Sequence, residues 1–280
     1  MKFIENLKIW GFFLVLFFSQ PVFGQMDTIY LSDHKTPCLV REVGPEEIKY
    51  NLPGEDVVNS IYKSTVKKIV FRSGRVETYA NPVPDIDWSS PLDFEKIYLT
   101  KSPNDPLGWY SLNNLKVFAT GGTIFSKGES VRKRALNKLK MQASMLGAKM
   151  VEITREDNYS HEEGNLESNQ KPSTYLDGTA YTDKLLNLEE FNNIMKGKRD
   201  FLVIHSFTLR NNANQIQEDT SLIPFRILQI NQEDGIIYLE GNLEYVRSKA
   251  KYQLISFKEN EFIILFQKDH DFYDYRVRIQ

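Results

Sequence analysis

Apolar and polar residues alternate with a period of two along most of this chain, and two segments switch to a helical period. Between Met26 and Ala80 the pattern is strand-like at residues 27–31, 38–43, 48–50, 61–62, 66–71 and 76–79. Turn signals at Gly44-Pro45, Pro53-Gly54 and Ser73-Gly74 separate these runs, with a polar turn at 32–35. Short strands spaced roughly 8–12 residues apart predict a small β-barrel-like unit over 26–80. A proline-rich stretch follows at 81–93, where Pro82, Pro84 and Pro91 stand among polar residues, and it reads as a linker.

The pattern predicts an α/β unit over 94–183. Strands are expected at 95–100 and 114–120, followed by a turn at Gly121-Gly122. Ser126 and Glu129 are spaced as a capping box, in which each side chain satisfies a free amide at a helix start. Val131, Ala135, Leu139, Ala143 and Leu146 then form one apolar stripe, and Gly147 can end the helix in the left-handed conformation. A strand is expected at 149–153, a polar exposed loop at 155–172, and a returning strand at 175–181.

The last unit, 184–280, starts with a short helix. Asn187 is its cap, Leu188, Phe191 and Met195 are its apolar face, and Gly197 is its stop. Six strands are expected beyond it, at 201–209, 223–230, 235–240, 251–257, 261–267 and 272–279. That succession predicts an antiparallel sandwich or small barrel closed by the helix. The fold class is therefore α+β in three small modules.

The first residues change the setting. A lysine at position 2, a dense apolar run over 9–18 and a break at Pro21 form a secretory leader over 1–25, with cleavage expected near Gly24. The run is too short to span a bilayer, which takes about 20 apolar residues. The expected mature protein is exported, periplasmic or extracellular, soluble and without a transmembrane span.

Charge argues against one class of partner. Lysine and arginine number 35 against 37 aspartate and glutamate, a net charge of −2, so there is none of the basic excess that nucleic-acid binding draws on. Cys38 is the sole cysteine, which rules out an intramolecular disulfide, and its place in a strand favours a small buried side chain over a reactive thiol.

Candidate chemistry is sparse. His34, His161, His205 and His270 show no helical ligand spacing. His161-Glu162-Glu163 is a local metal-like cluster in the polar loop, and a solvated loop is the reading preferred for it. Asp269-His270-Asp271 with Asp274 is read as a turn between strands. Neither a G-x-S-x-G elbow nor a P-loop is present. The basic run Arg132-Lys133-Arg134 with Lys138 and Lys140 could meet an acidic partner or lipid head groups, but a solvated helix face is the expectation. No catalytic, cofactor-binding or metal-binding residue is assigned, and no cofactor is expected.

Two resemblances add to this reading. Residues 40–50 and 67–74 resemble small β modules of secreted Bacteroidetes-type proteins, which implies a module type and no activity. Residues 114–117, 134–143 and 146–151, with Gly178-Thr179-Ala180, are similar to a small α/β family. That family includes the Rcs-type envelope stress-sensor lipoprotein and putative heavy-metal-binding domains, and the resemblance implies a helix packed on a sheet. The unit has no cysteine, and Lys149-Met150 stands where that family often reads Asn-Ala. The expected function is non-enzymatic binding of an envelope or extracellular partner, protein or glycan. The alternatives are a hydrolase with an acid/His site assembled across modules, and a metal- or stress-responsive sensor.

Overall fold

The computed structural model describes residues 26–31, 34–79, 83, 90–159, 171–220, 222–243 and 249–279. The leader and the His161-Glu162-Glu163 cluster lie outside the described residues, as does most of the proline-rich stretch. Among the described residues no helix is long and apolar enough to cross a membrane. The fold is α+β, mostly strand, in three sheets.

The first sheet contains β1 (Asp27–Tyr30), β2 (Lys35–Val43), β3 (Glu47–Asn51), β4 (Val58–Tyr62), β5 (Lys68–Val70) and β6 (Val76–Thr78). They are ordered β4-β3-β2-β1-β5-β6. Ile48 on β3 and Ile69 on β5 share one core with Ile29 and Cys38 although three strand spacings separate them. The sheet therefore curls, helped by the irregular register of β2 between Val40 and Glu42. Asp27 pins the curl: its carboxylate accepts the backbone N–H of Val40 at 2.8 Å and of Arg72 at 2.7 Å. Cys38 is 1% exposed and unpaired, and burial followed by the charge of Asp27 pushes its thiol up to about 11. It is a core side chain.

The second sheet runs β7 (Tyr98–Thr100), β9 (Met150–Tyr159), β10 (Ser173–Thr182), β8 (Tyr110–Thr120), with β7 parallel to β9 and the other pairs antiparallel. Helix α1 (Gly128–Met145) lies across it. All five residues of the apolar stripe are buried. Gly147 adopts φ +70°, with Ala148 N–H bonded to the Ala143 carbonyl and Gly147 N–H to that of Ser144. This closure satisfies carbonyls that the helix end leaves free.

Three expectations for this unit need correction. Residues 91–96 form a 3-10 turn, so the first strand starts at Tyr98; Ser90 caps the turn, and the buried Ser144 hydroxyl holds the Pro91 carbonyl at 2.9 Å. The capping box does not form: Ser126 Oγ accepts the N–H of Thr123 at 3.1 Å, closing the preceding turn, and the helix begins after Lys127. Residues 155–159 are strand, paired with β10 as far as Ser173. Their polarity marks a solvent-facing sheet surface and one buried carboxylate, Glu156, held by partly exposed cations, which apolar periodicity does not reveal.

Helix α2 (Leu188–Met195) follows, with Asn187 Oδ1 accepting the N–H of Glu190 at 3.0 Å. The third sheet contains β11 (Asp200–Leu209), β12 (Gln217–Asp219), β13 (Ile223–Glu233), β14 (Ile236–Leu243), β15 (Ala250–Phe257), β16 (Glu261–Lys268) and β17 (Asp271–Arg278). All pairings are antiparallel, and β11 bonds both β13 and β17, which closes a six-stranded barrel with β12 as a short flap. Its interior is aromatic: Phe201 meets Phe262 at 5.3 Å and Phe225 meets Tyr252 at 5.3 Å, each edge to face. Phe191 and Met195 of α2 plug this core.

The barrel also has a buried outer face. Phe262 and Ile264 of β16 point into the barrel, whereas Ile263 and Leu265 join the core shared with α1 and the second sheet. Phe207, Leu209, Ile255 and Phe272 belong to that shared core too. Helix α1 is therefore packed between the four-stranded sheet and the barrel. This explains why Lys138, on its nominally polar side, is buried against the Asn211 carbonyl, while Ser144 is buried under the 91–96 turn.

Candidate binding cleft

The connector between the second unit and α2 is held at both ends. Lys149 Nζ contacts both carboxylate oxygens of Asp183, at 2.9 and 3.0 Å, and both side chains are largely buried. Thr182 Oγ1 donates to the Lys184 carbonyl at 3.2 Å. Leu185 then packs under the β13–β14 turn, where Gly235 has φ +82° and a Cβ would fall 2.5 Å from Leu185 Cδ1. A mostly apolar pocket of about 200 Å³ behind the connector is lined by Leu146, Leu186, Ile237 and Leu254 among others. Its only charged groups are the Lys149–Asp183 pair and Lys184, so it reads as packing space between two units.

In front of the connector all three units meet around a polar cleft of about 480 Å³. The first unit contributes His34, Ser60, Tyr62 and Thr65; the second contributes Gly108 and Tyr110; the connector and α2 contribute Lys184, Asn187 and Glu190. Gly108 makes the approach possible. It has φ +79°, and a Cβ there would sit 2.9 Å from both Thr65 Cγ2 and Tyr62 Cδ2. The Ser64 hydroxyl donates to the Leu107 carbonyl beside it. Loop 101–109 and the first unit are thus in direct contact at one rim.

The rest of the cleft is open and chemically varied. Tyr110 is 47% exposed at the start of β8. The Ser60 hydroxyl donates to Glu47 at 2.7 Å and that of Thr65 to the Tyr62 carbonyl at 2.8 Å, so neither is set up as a nucleophile beside a base. Two phenols, an imidazole, an ammonium, an amide and two carboxylates, Glu190 and the Lys149-paired Asp183, therefore line a space large enough for a small polar ligand.

The histidines do not converge. His34 is in the cleft, and His205 lies on β11 with Nδ1 3.2 Å from Glu218 Oε1 and its ring stacked 6.5 Å from Phe207. His270 occupies the β16–β17 turn beside Asp269, which has φ +55°. His205 is opposite Arg276, six residues along β17 from His270, or roughly 20 Å at strand rise. Among the described residues no group of three or more His, Cys, Asp or Glu could hold a metal ion.

The cluster at 269–274 divides by environment. Asp271 accepts the Asn211 N–H at 2.7 Å, whereas Asp274 is fully buried with neither oxygen hydrogen-bonded. Phe207 and Leu265 flank it in register, and burial holds its carboxyl well above the usual range. The basic run is not a solvated face. Arg132 forms a bidentate pair with Glu156, Arg134 donates to the Thr120 carbonyl at 2.9 Å and Lys140 to that of Glu95 at 2.9 Å. Lys138 is buried on the Asn211 carbonyl, and burial lowers its pKa. Only Lys133 of the five is an exposed ammonium without such a tie.

Sequence reasoning did not find the cleft. Tyr62, Tyr110 and Glu190 are far apart in the chain; the tyrosines belong to no motif, and Glu190 stands only in the capping pattern with Asn187. Gly108 in a polar loop was the one available signal. No protein-family model, curated protein or solved structure matches the chain.

Proposed function

We propose that the protein is an exported, non-enzymatic binding protein whose ligand site is the cleft between its three units, and that the ligand is an envelope glycan. The cleft itself is the observation that carries this reading. Its two tyrosines offer aromatic faces to the apolar face of a sugar ring, while Asn187, Glu190, Lys184 and His34 offer donors and acceptors to hydroxyl and acetamido groups. A rigid connector under the site favours recognition of a preformed shape. The leader pattern over 1–25 supports a ligand in the envelope or outside the cell. The hydrolase alternative draws on the His205–Glu218 contact, but no serine, threonine or cysteine is hydrogen-bonded to that imidazole among the contacts described.

The test is cosedimentation of the purified mature protein with isolated peptidoglycan sacculi, followed by titration with a soluble disaccharide-tetrapeptide muropeptide. Binding should be saturable and should weaken at least about tenfold in Tyr110→Ala, because stacking aromatics dominate such sites. Absence of binding to sacculi and muropeptide, or binding indifferent to Tyr110→Ala, overturns the proposal.

A further inference from the structure

Strand β8 is eleven residues long and forms one edge of the second sheet. Its pairing with β10 fixes which backbone groups look outward. Gly121 N–H bonds the Pro172 carbonyl at 2.7 Å in the same register that pairs Thr120 with Ser173. The odd-numbered residues 113–119 therefore bond β10, and the even-numbered ones direct their N–H and C=O away from the sheet. Two contacts agree with this assignment. The Asn114 N–H is taken by Asn113 Oδ1 at 2.8 Å, and the Thr120 carbonyl by Arg134 at 2.9 Å.

Between these two capped groups, Lys116 and Phe118 present their outward N–H and C=O to no partner among the described residues. Their side chains share the solvent face, and Phe118 is 58% exposed. Such an edge is a template for another strand. The barrel reaches the exposed side of β8 at its other end, where Asn113 Nδ2 lies 3.4 Å from Gln267 Oε1.

We infer that this edge pairs with its own counterpart in a second copy of the chain, antiparallel about a two-fold axis at Val117. In that register Lys116 of each copy faces Phe118 of the other, and Asn114 faces Thr120. Each ammonium is then placed beside an aromatic ring, twice over by symmetry. The pairs Lys116–Phe118 exchange four backbone hydrogen bonds. The already capped Asn114 N–H and Thr120 C=O are the groups that would otherwise meet, so each is satisfied within its own copy. The commitment to a second copy rests on this self-complementarity: a foreign strand would have to supply an aromatic opposite Lys116 and a cation opposite Phe118, which β8 itself supplies. The result is an eight-stranded sheet across the dimer. The interface is small, so the dimer is of the weak, reversible kind.

The experiment is sedimentation velocity on the purified mature protein over a dilution series reaching roughly 100 µM, the range where small interfaces associate. A monomer–dimer equilibrium is expected. Lys116→Pro deletes an outward N–H without touching the β10 ladder, so it should raise the dissociation constant at least tenfold and leave the circular dichroism spectrum unchanged. Phe118→Lys sets like charges opposite each other and should do the same, providing a second readout if the proline variant does not fold. A protein that stays monomeric throughout the series, or a dimer untouched by Phe118→Lys, overturns the inference.

Discussion

Glu156 and Asp274 are both carboxylates on strands of this protein, and their environments drive them in opposite directions. Glu156 is 7% exposed and receives Arg132 in a bidentate pair, Lys101 at 2.8 Å and Asn158 at 2.9 Å. The Arg132 guanidinium first, then these others against the cost of burial, hold its carboxyl at about 2. A depressed folded value contributes stability that is complete above the unfolded value near 4.5 and is lost as pH falls through about 2. Glu156→Gln should cost about 2 kcal/mol at neutral pH, less than the shift alone implies because its cationic partners are partly in water. Urea unfolding at pH 7 and at pH 3 should show the penalty shrinking with acid; a penalty independent of pH would contradict this account.

For Asp274 the sign reverses. Burial raises its folded value well above 3.8, so folding is penalised increasingly as pH rises above 3.8 until the folded value is passed. Its neighbours Phe207 and Leu265 are apolar, and Asp274→Leu should raise stability at pH 7 by roughly 1–3 kcal/mol, the cost of a buried polar group without partners. The gain should narrow below pH 4. A destabilised leucine variant at pH 7 would mean that the carboxyl has a structural role. Neither environment was legible in the sequence, where Glu156 sat in a polar stretch and Asp274 in an apparent turn cluster. Burial at both sites comes from other elements: α1 and loop 101–109 over Glu156, and the second unit over Asp274.

At the scale of elements, legibility followed the breadth of the apolar signal. The six long barrel strands and both helices were anticipated to within a few residues, because each carries a sustained apolar signal, periodic in most and continuous in β16. The polar end of β9 and the three-residue β12 were missed, since residues 154–159 are exposed apart from the charged Glu156 and the flap is exposed throughout, so neither carries an apolar period. Gly147 was legible as a helix stop, but not as a contact point. Its φ is +70°, and a Cβ would sit 2.8 Å from Ile255 Cγ2 on the barrel. Gly54 has a similar φ of +79° with nothing within 4 Å. Gly54→Ala should therefore cost about 1 kcal/mol for the left-handed conformation alone, and Gly147→Ala a further 1–3 kcal/mol or so for overpacking. Equal losses in thermal unfolding would show that the helix–barrel contact is soft.

The whole molecule is less modular than its sequence. One proline-rich linker and changes of period suggested three units, and three sheets are present, but their cores are not equivalent. The core of the first sheet, around Ile29, Ile48 and Ile69, is a cluster of its own. A single larger cluster runs from Leu115 and Val117 of the second sheet through α1 to Phe207 and Leu265 of the barrel. The cause is that β16 is apolar on both faces, and that β11 shifts register between Val203 and His205, with Phe201 and Val203 in the barrel core and Phe207 and Leu209 in the shared one. A strand buried on one face alternates, whereas FIILF over 262–266 does not, and such a run needs a second layer outside the barrel. Two sheets bound through one helix should then lose structure together. Phe207→Ala, which opens the shared core from the barrel side, should cost about 3–5 kcal/mol. It should also raise hydrogen exchange in α1 and β10 as much as in β11. Ile48→Ala should instead accelerate exchange in β1–β6 and leave α1 and the barrel protected. Exchange measured by mass spectrometry on both variants decides the matter: a Phe207→Ala chain in which the barrel opens while α1 keeps its protection would mean that the shared core is contact without cooperativity. The polar cleft sits where the independent unit meets the fused pair, so the same measurement identifies which wall of the cleft moves most easily.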